Sequence, residues 1–197
     1  MNLRHQTIQR FRFMTVGVAF TLLLTGCGSG GDSSGEFYTN WDLAGGCRSD
    51  EGGAGRYNAQ GDLVDVCAAV DPSRWVWVTY AAGWCTTSRT QAPQIRQFTG
   101  SANQAVTVFT VLTGGDEVFT DPGLAGARAW SRSYGLPPER VLIEESSRVI
   151  PQHLILGPNG RTWYRYIGFL TTAEMVEILD EFANGARHPN VREIRRR

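Results

Sequence analysis

The stretch that constrains this chain most is Trp75-Val-Trp-Val-Thr-Tyr80, which runs through Ala81-Ala-Gly-Trp84 into Cys85-Thr-Thr-Ser88. β-Branched and aromatic side chains fit a pleated, buried surface, so the run predicts a core strand. An amphipathic helix is expected to follow from about Thr87 to Phe98, with Pro93 inside it. Cys85 then sits at a strand-to-helix junction. There the first helical N–H groups lack partners and the helix dipole is positive, and both effects favour a thiolate over a thiol. Cys85 is therefore the candidate nucleophile, and Ser88, one turn further on, is the residue whose effect on that chemistry matters next.

The remainder of the chain repeats the alternation of strand and helix. Ala105 to Leu112 reads as a strand, Gly123 to Tyr134 as a helix ended by Gly135, and Val141 to Ile143 as a short strand. His153 to Leu156 and Arg161 to Ile167 flank Gly157-Pro-Asn-Gly160, a turn rich in breakers, and predict a β-hairpin. Thr172 to Phe182 is expected to close the fold as an amphipathic helix. Thr171 or Thr172 would be its cap, and Met175, Ile178, Leu179 and Phe182 its apolar face. Alternating strands and helices argue for an α/β class, with a mostly parallel sheet finished by an antiparallel hairpin. A length of 197 residues suits one domain with additions.

Those additions lie at the ends. Arg4, Arg10 and Arg12 precede an apolar run, Phe13 to Leu24, that is short for a bilayer span. The run closes on Leu24-Thr-Gly-Cys27, which resembles the bacterial lipobox. That resemblance implies a signal peptide and lipobox over 1–27, cleavage that leaves Cys27 as the lipid-bearing mature N-terminus, and a chain exported to the cell envelope, facing the periplasm. Gly28 stands where an inner-membrane retention signal carries Asp, which points to the outer membrane. Residues 28–35 read as a Gly/Ser tether. All 19 basic residues are Arg; three lie in the leader, and the other 16 face 19 acidic residues, a net of −3. With no Lys in the chain, no lysine base or Schiff base is available. Residues 186–197 form a basic end that reads as solvated, and no aromatic interleaving suggests nucleic acid.

Between tether and core strand, Glu36 to Asp71 is glycine-rich and irregular. Tyr57 to Gly61 reads as a turn, and Leu63 to Val66 as a short strand. Cys47 and Cys67 fall here. In an exported protein they are most simply a structural disulfide, closing a loop of about 20 residues worth roughly 3 kcal/mol. The functional alternative makes one of them the resolver of a disulfide on Cys85.

Trp84-Cys85-Thr-Thr-Ser88, with Pro93 eight residues beyond Cys85, resembles the thioredoxin active site, W-C-x-x-C followed by a helix proline. The preceding strand and loop are similar to those of TlpA-type, membrane-anchored thiol–disulfide oxidoreductases, and the resemblance covers roughly 56–185. It implies a thioredoxin-like fold, a central mixed sheet flanked by helices, with an inserted strand–helix unit. It also implies that Ile150-Pro151 is a cis-proline loop facing Cys85 and positioning a thiol- or disulfide-bearing protein substrate, with no cofactor and no metal. The copper-delivering Sco proteins pair C-x-x-x-C with a distant histidine, but Arg89 stands at the second position here and leaves a soft Cu(I) site incomplete. His153 therefore reads as a strand-end residue near the active loop, and Asp116, Glu117 and Asp121 as a solvated loop.

Two positions depart from the family pattern. Ser88 replaces the second cysteine, and a hydroxyl can hydrogen-bond a thiolate but cannot displace a sulfur. Thr79 stands where thioredoxins bury an acid, six residues before Cys85. Three readings of Cys85 stay open. It is a monothiol oxidoreductase nucleophile with Ser88 as hydrogen-bond partner and Pro151 holding the substrate strand; or a peroxide-reducing thiol, which lacks the expected Pro and Thr or Ser before it; or a relic in a binding or scaffold module.

Overall fold

The structure is a computed structural model that describes residues 46–48, 55–101, 106–118, 120–145, 149–185 and 191–195. The leader with Cys27, the 28–35 tether, most of the segment before Gly55, and His188 lie outside the described residues.

Among the described residues, eleven strands and α-helices follow in chain order. They are β1 (Arg56–Tyr57), β2 (Leu63–Val64), β3 (Trp75–Ala81), α1 (Thr86–Ser101), β4 (Val106–Leu112), α2 (Gly123–Tyr134), β5 (Val141–Ile143), β6 (Gln152–Leu156), β7 (Thr162–Ile167), α3 (Thr172–Ala183) and α4 (Val191–Ile194). The main sheet has the order β5-β4-β3-β6-β7. β3 is its central strand, parallel to β4 on one side and antiparallel to β6 on the other. From Val76 to Ala81 every residue of β3 is buried, which is why its sequence shows a continuous apolar and aromatic run rather than alternation. Two crossovers, β3–α1–β4 and β4–α2–β5, build the parallel half, and the β6–β7 hairpin completes the other.

Alternation along β3 divides the core in two. Trp77 and Ala81 face a cluster supplied by all three long helices, with Ile95 and Phe98 from α1, Trp130 from α2, and Met175, Ile178 and Phe182 from α3. Val76, Val78 and Tyr80 face the other cluster, which holds Val66, Cys85, Ile150, Leu154 and Leu156. The 3-10 turn Val66–Ala69 covers part of that second face.

The predicted strand over 63–66 is shorter in the structure. Asp65 turns its carboxylate back to accept from the Cys67 N–H at 2.8 Å and starts the 3-10 turn instead. β1 and β2 form a small hairpin around Asn58, whose Oδ1 accepts from three successive N–H groups at Gln60, Gly61 and Asp62. An isolated bridge from Asn58 to Leu142 sets this hairpin against β5, and Arg56 pairs with Glu144 at 3.1 Å, both largely buried. Cys47 and Cys67 are joined by a disulfide, and the Cys47 N–H donates to the Gly160 carbonyl at 3.0 Å. The contact is so close that a Cβ on Gly46 would lie 2.4 Å from that oxygen, at a φ of 71° that itself favours glycine.

The end of the chain departs from its expected solvated state over 191–195. Val191 is buried in the helix-side cluster, and Arg195 forms an ion pair with Glu174 and donates to the Phe169 carbonyl at 2.9 Å. Val191 and Ile194, three apart, give this short piece an apolar face that docks beside α3.

Candidate active site

α1 begins one residue after Cys85, so Cys85 holds the N-cap position, which usually carries Ser, Thr, Asp or Asn. Its sulfur takes the capping role. The Ser88 N–H, third in the helix, points at Sγ at 3.4 Å, and the Arg89 N–H donates to the Cys85 carbonyl at 3.0 Å. No acidic residue occupies the first turn to oppose negative charge there. The Arg89 side chain instead braces the junction, donating to the Gly83 carbonyl at 3.1 Å and to the Thr86 hydroxyl at 3.2 Å.

Ser88 is fully buried. Its Oγ accepts from the Ala82 N–H at 3.3 Å, so its hydroxyl ties the helix to the loop before the cysteine, and the backbone makes the contact to sulfur. Cys85 is itself fully buried, and Cys47 and Cys67 are bonded to each other.

The loops beneath the motif come from the ends of β4 and β5. The Gly83 and Trp84 N–H groups donate to the Gly114 and Gly115 carbonyls at 3.1 and 2.8 Å. A Cβ on Gly114 would meet the Trp84 indole nitrogen at 2.8 Å, so that glycine leaves room for the Trp84 ring. The Ile150-Pro151 peptide is cis, and Ile150 lies in the same buried cluster as Cys85. The Pro151 carbonyl accepts from the Gly168 N–H at 3.0 Å.

His153 is not at the strand's end. β6 starts at Gln152, and pairing with Thr79 turns His153 toward the helix side, where it is completely buried. Nδ1 lies 3.1 Å from both the Trp77 indole nitrogen and the Thr79 hydroxyl, and Nε2 lies 3.2 Å from the Gly168 carbonyl. Burial holds its pKa down at about 3 despite the Gly168 contact, so the ring is neutral. Thr79, where a buried acid was expected in the family pattern, thus has a neutral imidazole beside it.

Gln91 and Gln152 belong to no motif, yet both are buried at this end of the sheet. The Gln91 amide donates to the Leu170 carbonyl and accepts from the Leu170 N–H, each at 2.8 Å, pairing α1 with the entry to α3 as a strand would. A glutamine on the buried side of a predicted helix is the signal that points to such a clamp. Gln152 Oε1 accepts from the Arg165 guanidinium, and its Nε2 has no hydrogen-bond partner among the described residues. Among the described residues no group of three His, Cys, Asp or Glu side chains could hold a metal.

No family model matches the chain, and no curated protein matches it. Solved structures do. A hypothetical protein from Sinorhizobium meliloti 1021 superposes with a TM-score of 0.61 at 16% identity, over 79% of this chain and 91% of its own. The exposed lipoprotein thioredoxin of Streptococcus pneumoniae strain TIGR4 gives 0.52 at 18% identity, over 65% of this chain and 98% of its own. A thioredoxin-family thiol:disulfide interchange protein from Chlorobium tepidum TLS gives 0.52 at 16% identity, over 64% and 90%. At such identities the likeness is one of architecture. The chain has a thioredoxin-like fold, a central mixed sheet flanked by helices.

Proposed function

We propose that this chain is an extracytoplasmic thiol–disulfide exchange protein that works with one nucleophile, Cys85. The observation that carries the reading is Cys85 at the N-cap of α1, its sulfur taking the Ser88 N–H, on the sheet face that also buries the residue before the cis proline. Once reduced, the Cys85 thiolate attacks one sulfur of a partner disulfide. A mixed disulfide forms, and the partner's other sulfur leaves as a thiolate. Ser88 has no sulfur with which to break that bond, and Cys47 and Cys67 are committed to each other. Release therefore requires an external thiol, which takes over the partner's bond or regenerates Cys85. Pro151 would receive the partner's strand, and the partner is a protein bearing a thiol or disulfide.

The location follows from the leader. Cys27 as a lipidated N-terminus would hold the domain at the cell envelope, facing the periplasm, with Gly28 favouring the outer membrane. The pneumococcal neighbour, an exposed lipoprotein, supports this setting. Mass analysis of the mature N-terminus tests it: a diacylglyceryl mass on Cys27 is expected, and an intact Met1 would contradict it.

A second reading, a non-catalytic binding module with a degenerate site, is favoured by one observation, the complete burial of Cys85. Reduction followed by exposure to a peptide disulfide separates the two. Exchange predicts capture at Cys85, and the binding module predicts none.

A further inference from the structure

His153 has a geometry that a merely tolerated core histidine would not require. An indole N–H can only donate and a carbonyl can only accept, so the contacts to Trp77 and Gly168 fix the Nε2–H tautomer. Its Nδ1 end is held by β3, through Trp77 and Thr79. Its Nε2–H end holds the Gly168 carbonyl, and the N–H of that same glycine holds the Pro151 carbonyl. Gly168 sits at a φ of 131°, and a Cβ there would press on the Tyr166 ring at 3.3 Å. One buried ring thus braces the central strand against the residue that supports the proline loop.

We propose that His153 is a positioning residue for exchange at Cys85: through Gly168 it fixes the Pro151 backbone on which the partner's strand is received. The proposal rests on the exchange function above. The ring stays neutral and its nitrogens are occupied by Trp77, Thr79 and Gly168, so its role is that of a strut rather than a proton shuttle.

Two isosteric substitutions separate the ends of the strut. His153→Gln places an amide N–H near the Nε2 position and keeps the donor to Gly168. His153→Asn places an amide oxygen near Nδ1, keeps the acceptor for Trp77 and loses Gly168. His153→Asn removes the contact to Gly168 and His153→Gln the two to Trp77 and Thr79, so a merely structural role lowers the melting temperature of both and would not single out His153→Asn. The full-length chain in detergent is read in three ways: Gly168 amide hydrogen exchange, capture of a peptide disulfide by reduced Cys85, and iodoacetamide alkylation of Cys85. In H153N, Gly168 exchange is expected to speed and peptide capture to slow by roughly tenfold each, the worth of one buried hydrogen bond. In H153Q both should stay near wild type, and alkylation should be alike in all three proteins. If H153N does not fold, His153→Met, which fills the space without a donor, replaces it with the same expectation. If wild type captures peptide and the two variants match each other in Gly168 exchange and capture, this proposal alone is overturned. If wild type captures no peptide, the exchange function itself is lost and the proposal with it.

Discussion

A sulfur stands where a helix usually places a capping oxygen, and that single choice sets the chemistry open to Cys85. The Ser88 N–H and the positive end of the α1 dipole stabilise negative charge on the sulfur. Ser88→Cys would add the missing resolving group. Wild type is expected to accumulate a mixed disulfide after a single encounter with a peptide disulfide. S88C should instead pass through it to an intramolecular bond, read as loss of the adduct mass within the same assay. Persistence of the adduct in S88C would mean that position 88 does not reach the Cys85 sulfur. His153 yields a second prediction. Its folded pKa is depressed to about 3 from 6.5, so below pH 6.5 the unfolded chain binds a proton that the folded chain refuses. Stability is then full above pH 6.5 and falls by about 1.4 kcal/mol per pH unit beneath it. Glu174, held low by Arg195 and Thr171, loses stability only in the carboxylate range. Urea melts between pH 6.5 and 5 should therefore show a slope that flattens in H153Q, and equal slopes would contradict the burial argument.

Among the elements, α1 is tied by buried side chains to the entry of α3. Gln91 gives it two hydrogen bonds to Leu170, and Thr172 adds bonds to Gln94. Gln91→Leu leaves the Leu170 N–H and carbonyl buried and unpaired, a loss on the order of 3 kcal/mol in chemical denaturation. A loss under about 1 kcal/mol would mean water replaces the amide. The Cys47–Cys67 bridge pins the 3-10 turn and residues 46–48 to the hairpin turn at Gly160. Replacing both cysteines by Ser is expected to cost about 3 kcal/mol while leaving Cys85 chemistry intact. Loss of peptide capture in that variant would instead show that the bridge takes part in resolution.

Elements such as β3, α2 and α3 were legible because each carries a local signal: an unbroken buried run, a Gly135 stop in the left-handed region, and a Thr171–Glu174 capping box. The strand-to-helix junction at Cys85 was legible from the local pattern, and the cis peptide at Ile150-Pro151 only through the family resemblance. The face of His153 was not. In His153-Leu-Ile-Leu156 every residue suits burial, and only the register Thr79↔His153, between strands 74 residues apart, decides which layer the ring enters. The Gln91 clamp and the docking of Val191 likewise depend on contacts between distant segments.

At the scale of the whole molecule, the helices flank the sheet, the loop after β4 holds Gly83 and Trp84, and Ile150 packs in the cluster that buries Cys85. Structures with this architecture support many activities, so the frame alone does not decide the function. The chemistry rests on one sulfur. The direct measurement takes the full-length chain with Cys85 reduced and the Cys47–Cys67 bridge intact, presents a peptide disulfide at about pH 6.5, where an ordinary thiol is mostly protonated, and identifies adducts by mass. The account predicts one peptide bound per chain through Cys85, none in Cys85→Ser, and alkylation of Cys85 faster than that of a simple reference thiol. Alkylation no faster than that reference, with no peptide adduct, would contradict it.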